Sequence, residues 1–194
     1  MSDFCYYRLN LITEGAFNPN WKWPVPTSDY GIWDPYATDI FNSDWLKYTK
    51  RLGIDFYRAL VFYRGPNTTS KEAHVDTRNE SFIYVNSAIN WVFGGENSTM
   101  HWYKMPENPD AANTVKDPKT QVPYTTFQFK DLEQIDSCQI KNEVTLVKTC
   151  VPHSITMGLE PRWCISARVA KPNDLSWDNV VNKMRSNKLL VERQ

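Results

Sequence analysis

The sequence predicts a mainly β protein with a few helices, folded as a double-stranded β-helix (a jelly-roll barrel) with helices flanking it near both ends. Three observations carry this expectation. Seven short runs rich in β-branched and aromatic residues follow one another between residues 54 and 169, separated by Gly, Pro and Asn turns. Segments with helical spacing bracket them. A length of 194 residues suits one domain and is enough to bury a proper core. The same strand pattern also fits a β-sandwich, so strand order stays open at this stage.

The elements follow in order. Residues 14–37 are rich in Pro, Trp, Asn and Gly, as in Asn18-Pro-Asn-Trp-Lys-Trp-Pro-Val-Pro26, and exclude regular helix or central strand. They read as a long aromatic loop that packs on or covers something. Ile40, Phe41, Trp45, Tyr48 and Leu52 fall at helical spacing, predicting a helix over 38–52 with Asp39 or Asn42 as its cap. Strands are expected at Ile54–Tyr63, Lys71–Asp76, Phe82–Phe93, Thr99–Met105, Tyr124–Phe129, Glu143–Cys150 and Trp163–Val169, giving a barrel core over about 54–170. Residues 106–123 hold four prolines and many polar residues, which suggests an exposed connection or flap. From Ser176 to Leu190 the helical spacing returns, with Ser176 as N-cap and Trp177, Val180, Val181 and Met184 on one face.

Charge excludes little but points one way. Lys+Arg and Asp+Glu number 22 each, so the formal charge is zero and the sequence pI about 6.8. That balance gives no electrostatic reason to expect a nucleic-acid or membrane-surface partner. The opening Met1-Ser-Asp-Phe-Cys5 lacks a basic stretch followed by an apolar one, so no secretory leader is expected. Cys5, Cys138, Cys150 and Cys164 form neither a CxxC pair nor a secreted-domain framework, and free thiols in a reducing cytoplasm are the simplest account. No signal for oligomeric state is visible.

The chemistry rests on three histidines: His74, His101 and His153. His74 stands in Glu72-Ala-His-Val-Asp76. On an extended strand, residues i and i+2 project to the same face, so His74 and Asp76 would point together into a barrel lumen. His153, in Cys150-Val-Pro-His-Ser-Ile155, is expected on a later strand that closes the third corner. Two imidazoles and one carboxylate on one face of an octahedron leave positions open for a bidentate cosubstrate and dioxygen, the arrangement associated with non-haem Fe(II). An H-x-D pair alone is weak, because a histidine beside a solvated aspartate arises readily by chance.

The surroundings strengthen it. The stretch from about 54 to 170 resembles the Fe(II)/2-oxoglutarate dioxygenase superfamily, in particular its small prolyl-hydroxylase-like members of the kind found in marine bacteria and phages. The resemblance runs through Tyr63-Arg-Gly65 before the first ligand, the H-x-D itself, Ser87-Ala-Ile-Asn-Trp91, Asn97-Ser-Thr-Met-His-Trp-Tyr103, Val151-Pro-His-Ser-Ile155 and Arg162-Trp-Cys-Ile-Ser-Ala-Arg168. It implies Fe(II) held by His74, Asp76 and His153, with 2-oxoglutarate and O2 as cosubstrates and succinate and CO2 as products. It also implies a basic residue opening the last barrel strand, which pairs with the far carboxylate of 2-oxoglutarate. A guanidinium fork suits that role. Arg162 is the first choice and Arg168 the second, the R-x5-R pair resembling the nucleic-acid-demethylating branch. Tyr63 is expected to donate to the same carboxylate. Retention of Asp76 implies hydroxylation, since halogenating members replace this carboxylate with a small residue.

Arg78, Trp91, His101 and Trp102 are the candidate substrate contacts. A small-molecule, amino-acid-like or prolyl-type substrate is expected. Two other classes fit the residues: a cupin-like metal enzyme that uses no 2-oxoglutarate, and a non-catalytic β-sandwich binding module that would be indifferent to iron.

Overall fold

The order of the strands in space separates the readings that the sequence leaves open. The computed structural model describes residues 4–76, 85–107, 114–171 and 176–191. Strands β1 (Tyr6–Leu9) and β2 (Tyr30–Trp33) precede two helices, α1 (Ala37–Ile40) and α2 (Ser43–Arg51). Then come β3 (Asp55–Arg64), β4 (Ala73–Asp76), β5 (Ser87–Gly94), β6 (Thr99–Tyr103), β7 (Thr114–Lys116) and β8 (Pro123–Phe127). The strands β9 (Gln134–Gln139), β10 (Val144–Lys148), β11 (His153–Thr156) and β12 (Arg162–Lys171) follow, then helix α3 (Trp177–Ser186) and the short β13 (Leu190–Val191).

These strands form a seven-stranded sheet, β13-β1-β10-β5-β12-β3-β2, and a six-stranded sheet, β7-β8-β4-β11-β6-β9. Every pairing is antiparallel. The chain steps from the large sheet to the small one and back through β3, β4, β5 and β6, then again through β9, β10, β11 and β12. As a result β12 lies between β3 and β5, and β11 between β4 and β6. That wiring is a jelly roll.

The two faces of the large sheet bury different things. Outward, Ala59 and Val61 of β3, Ile89 and Trp91 of β5, and Ile165 and Ala167 of β12 meet Ile40, Phe41 and Trp45 from the first helices and Val180, Val181 and Met184 from α3. Aromatic rings dominate this layer: Phe41 lies 4.9 Å from Trp45 and 5.1 Å from Trp91. Inward, Ala88, Val92, Val147 and Cys164 pack against Met100 and Trp102 of the small sheet. The indole N–H of Trp102 donates to the Lys148 carbonyl at 2.9 Å and that of Trp45 to the Ile12 carbonyl at 2.7 Å, so these large rings are buried without stranding a donor.

Several expectations are refined. The helix expected over 38–52 is two helices, because Asn42 leaves helical geometry and accepts from the Asp44 N–H at 2.8 Å to cap α2. The Asp39 carboxylate accepts from the Tyr36 N–H and closes the start of α1. The aromatic stretch at 14–37 contains β2, which pairs with β3. The segment at 106–123 is more than an exposed connection: its residues 114–116 form β7 beside β8. Strands β1, β9 and β13 are too short or too polar for their periodicity to register. Among the described residues, no helix is long and apolar enough to cross a membrane.

Candidate metal centre

The small sheet brings the three candidate ligands together by register. His153 opens β11 directly opposite His74 of β4, and His74 and Asp76 project to one face because they are two residues apart on an extended strand. The imidazole centroids of His74 and His153 are 4.3 Å apart, and His74 Nε2 lies 3.8 Å from Asp76 Oδ1. One ligand atom from each of the three residues falls within 4.8 Å of the others, a spacing that could hold a metal ion. The donor set of two nitrogens and one carboxylate oxygen fits a first-row divalent metal.

Neighbouring groups set the state of each candidate ligand. His153 Nδ1 lies 3.0 Å from the Val151 carbonyl. A carbonyl only accepts, so Nδ1 carries the proton and Nε2 keeps a free lone pair with which it could ligate. Burial, reinforced by His153, pushes the His74 pKa down to about 3, so the ring is neutral and able to ligate at neutral pH. Burial pushes the Asp76 carboxyl up, but the Arg168 guanidinium and the two imidazoles outweigh it and hold the pKa below the usual range. Arg168 is only 3% exposed, and its Nη2 sits 3.4 Å from Asp76 Oδ2. One carboxylate oxygen is therefore occupied by Arg168 while the other faces His74.

A cleft of about 640 Å³ opens beside His74, Asp76 and Arg168. Ile32, Leu60 and Phe62 form an apolar wall, and Tyr30 and Arg64 also line it. Sequence reasoning missed these last two. Both faces of β3 carry apolar residues (Ala59 and Val61 on one, Leu60 and Phe62 on the other), so alternation alone does not reveal which side faces the cleft.

That ambiguity explains the placement of Tyr63. It lies on the outer face of β3 with its ring 4.8 Å from Trp163, away from the cleft that its neighbour Arg64 lines. Arg162 points inward and is 4% exposed, but its stem runs over Gly95, where a Cβ would sit 2.7 Å from the Arg162 Cβ, and it does not line the cleft. Trp91 belongs to the outer core. Trp102 is stacked on Tyr6 at 5.6 Å inside the barrel. The two ring nitrogens of His101 contact Gln134 Oε1 at 3.0 Å and Thr156 Oγ1 at 3.1 Å, outside the metal cluster. The structure thus groups Arg168 with the three metal-site residues and sets Tyr63, Trp91, His101 and Trp102 elsewhere. Arg78 lies outside the described residues.

Fold and site together define a class: a jelly-roll protein with a two-histidine, one-carboxylate cluster beside a cleft. Comparisons with known proteins add similarity at the level of solved structures. The chain is similar to a vicilin from Solanum melongena at 9% identity and a TM-score of 0.39, over 86% of this chain and 38% of that one. It is also similar to E. coli ycfD at 10% identity and a TM-score of 0.32, over 67% of this chain and 30% of that one. The chain therefore spans well under half the length of either. No protein-family model matches the sequence, and no curated protein matches it.

Proposed function

We propose that the protein is an Fe(II)- and 2-oxoglutarate-dependent dioxygenase that hydroxylates a small-molecule, amino-acid-like or prolyl-type substrate. The observation that supports this reading best is the grouping of His74, Asp76 and His153 within 4.8 Å of one another, beside a cleft large enough for a cosubstrate and a small substrate. Bound there, the metal and 2-oxoglutarate would supply the oxidising power: O2 is consumed, 2-oxoglutarate becomes succinate and CO2, and a substrate C–H becomes C–OH.

The chain's own part is preparation. The Val151 carbonyl fixes the His153 tautomer. Arg168 holds Asp76 Oδ2 and leaves Oδ1 for the metal. His74 needs no proton removed before it binds. Ile32, Leu60 and Phe62 keep bulk water off one side of the cleft.

Anaerobic titration of the metal-free protein with Fe(II) and 2-oxoglutarate tests the reading. A weak visible charge-transfer band that requires both additions, and is abolished in His74→Ala, is the expected result. Iron binding without the band would leave a cupin-like metal enzyme that uses no 2-oxoglutarate. Failure to bind iron would remove both enzymes and leave a ligand-binding jelly roll.

A further inference from the structure

Two arginines are placed opposite each other at one end of the barrel. Arg64 closes β3 and Arg162 opens β12, and the two residues are register partners on adjacent antiparallel strands. Both project to the inner face, Arg64 into the cleft and Arg162 behind it, beside Gly95 and Cys164. Among the described residues neither makes an ion pair with an acidic side chain. By contrast, Arg168 has Asp76 and Arg58 has Asp34. Like charges placed opposite each other repel, and a sheltered charge without a counterion is costly. Burial and the nearby Arg162 charge both disfavour the charged form of Arg64. The Arg64 guanidinium nonetheless lies 5.2 Å over the Tyr30 ring, a cation–π contact on the cleft wall.

We infer that Arg64, supplied by β3 and seated on Tyr30, is the residue that takes the carboxylate of the ligand filling this cleft, with Arg162 as a second cation sealed behind it. The inference rests on the proposed function only in naming 2-oxoglutarate as an occupant. The cleft, and a charge with no ion-pair partner among the described residues, stand without it. It also departs from the residue pattern that the resemblance implies, in which the last barrel strand supplies the contact. The shared chemistry is a compact carboxylate, which either the cosubstrate or the substrate could bring. A planar fork above a flat ring is preorganised for two parallel N–H···O bonds.

Calorimetric titration of the full-length protein loaded with Mn(II), a redox-inert stand-in, tests this with three probes. These are 2-oxoglutarate, 2-oxopentanoate (the same chain without the far carboxylate) and glutarate (both carboxylates, no keto group). The wild type is expected to prefer 2-oxoglutarate over 2-oxopentanoate by about 10- to 100-fold, the range for a charge-assisted bond in a sheltered site. Arg64→Gln should erase that preference and leave 2-oxopentanoate binding unchanged, and Arg64→Lys should restore part of it. Thermal melts of both variants establish that they fold.

If the preference survives Arg64→Gln and is lost in Arg162→Gln, the inference is overturned and the oxygenase reading stands. If glutarate binds in an Arg64-dependent way while neither oxo acid binds through the metal, the carboxylate site stands and the oxygenase reading falls. Glutarate binding that 2-oxoglutarate competes away assigns the site to the cosubstrate. Arg64-dependent glutarate binding that persists at saturating 2-oxoglutarate assigns it to the substrate. No binding of any probe overturns the inference.

Discussion

The outer and inner faces of the large sheet come from the same strands and bury opposite chemistry. Outward, β5 and β12 present Ile89, Trp91, Ile165 and Ala167 to a layer of rings and aliphatic side chains. Inward, the same strands and β10 place Thr145, Asn90 and Ser166 in one row across three strands, all buried, with Arg162 and Arg168 of β12 on either side of that row. Asn90 Oδ1, Thr145 Oγ1 and Arg168 Nε have no hydrogen-bond partner among the described residues. Polar atoms left this way cost free energy. The outer face is apolar apart from the stranded Trp91 Nε1, whereas the inner face gathers its stranded polar atoms beside the candidate metal ligands, a division between cohesion and a candidate site.

That division can be broken from either side. The largest effect is expected from Phe41→Ala, which removes the ring packed among Trp45, Phe56 and Trp91. Stability should fall by about 3–5 kcal/mol in denaturant titration, while metal affinity per folded molecule is preserved. A comparable loss of metal affinity would show that the two faces are coupled.

Arg168→Met should do the reverse. Its length and apolar stem keep the inner packing, but Asp76 loses the charge that holds its carboxyl low. Metal affinity should drop by about 10- to 100-fold. Because the Asp76 pKa rises without Arg168, the acid limb of the metal-binding profile should move to higher pH. An unshifted limb would mean that Arg168 does not position the carboxylate. The smallest effect is expected from Asn42→Ala, which removes the α2 cap on the outer side. A cost of about 1 kcal/mol with no change in metal binding fits a purely local role.

How much of this was legible in the sequence differs by region, for physical reasons. The H-x-D pair on β4 could be placed because a period of two is rigid on a strand. The partner histidine was legible as a residue, but its register opposite His74 depends on jelly-roll wiring that no local pattern contains. The face of α3 was read from its spacing, since Trp177, Val180, Val181 and Met184 all bury. The choice between Tyr63 and Arg64 was not legible, because β3 is packed on both sides and a one-residue shift exchanges its faces. Strand β9, Gln134-Ile-Asp-Ser-Cys-Gln139, is mostly polar because it forms the edge of the small sheet.

The position of β12 between β3 and β5 also governs the order in which the barrel can be assembled. Until residues 162–171 leave the ribosome, β3 and β5 each present an open hydrogen-bonding edge, and the lumen has no far wall. Closure of the barrel thus waits on a strand nearly a hundred residues downstream of β3, a high contact order that slows folding and leaves adhesive edges exposed meanwhile. A nascent chain of this protein is expected to depend on chaperones up to that point and to become self-sufficient once β12 is seated.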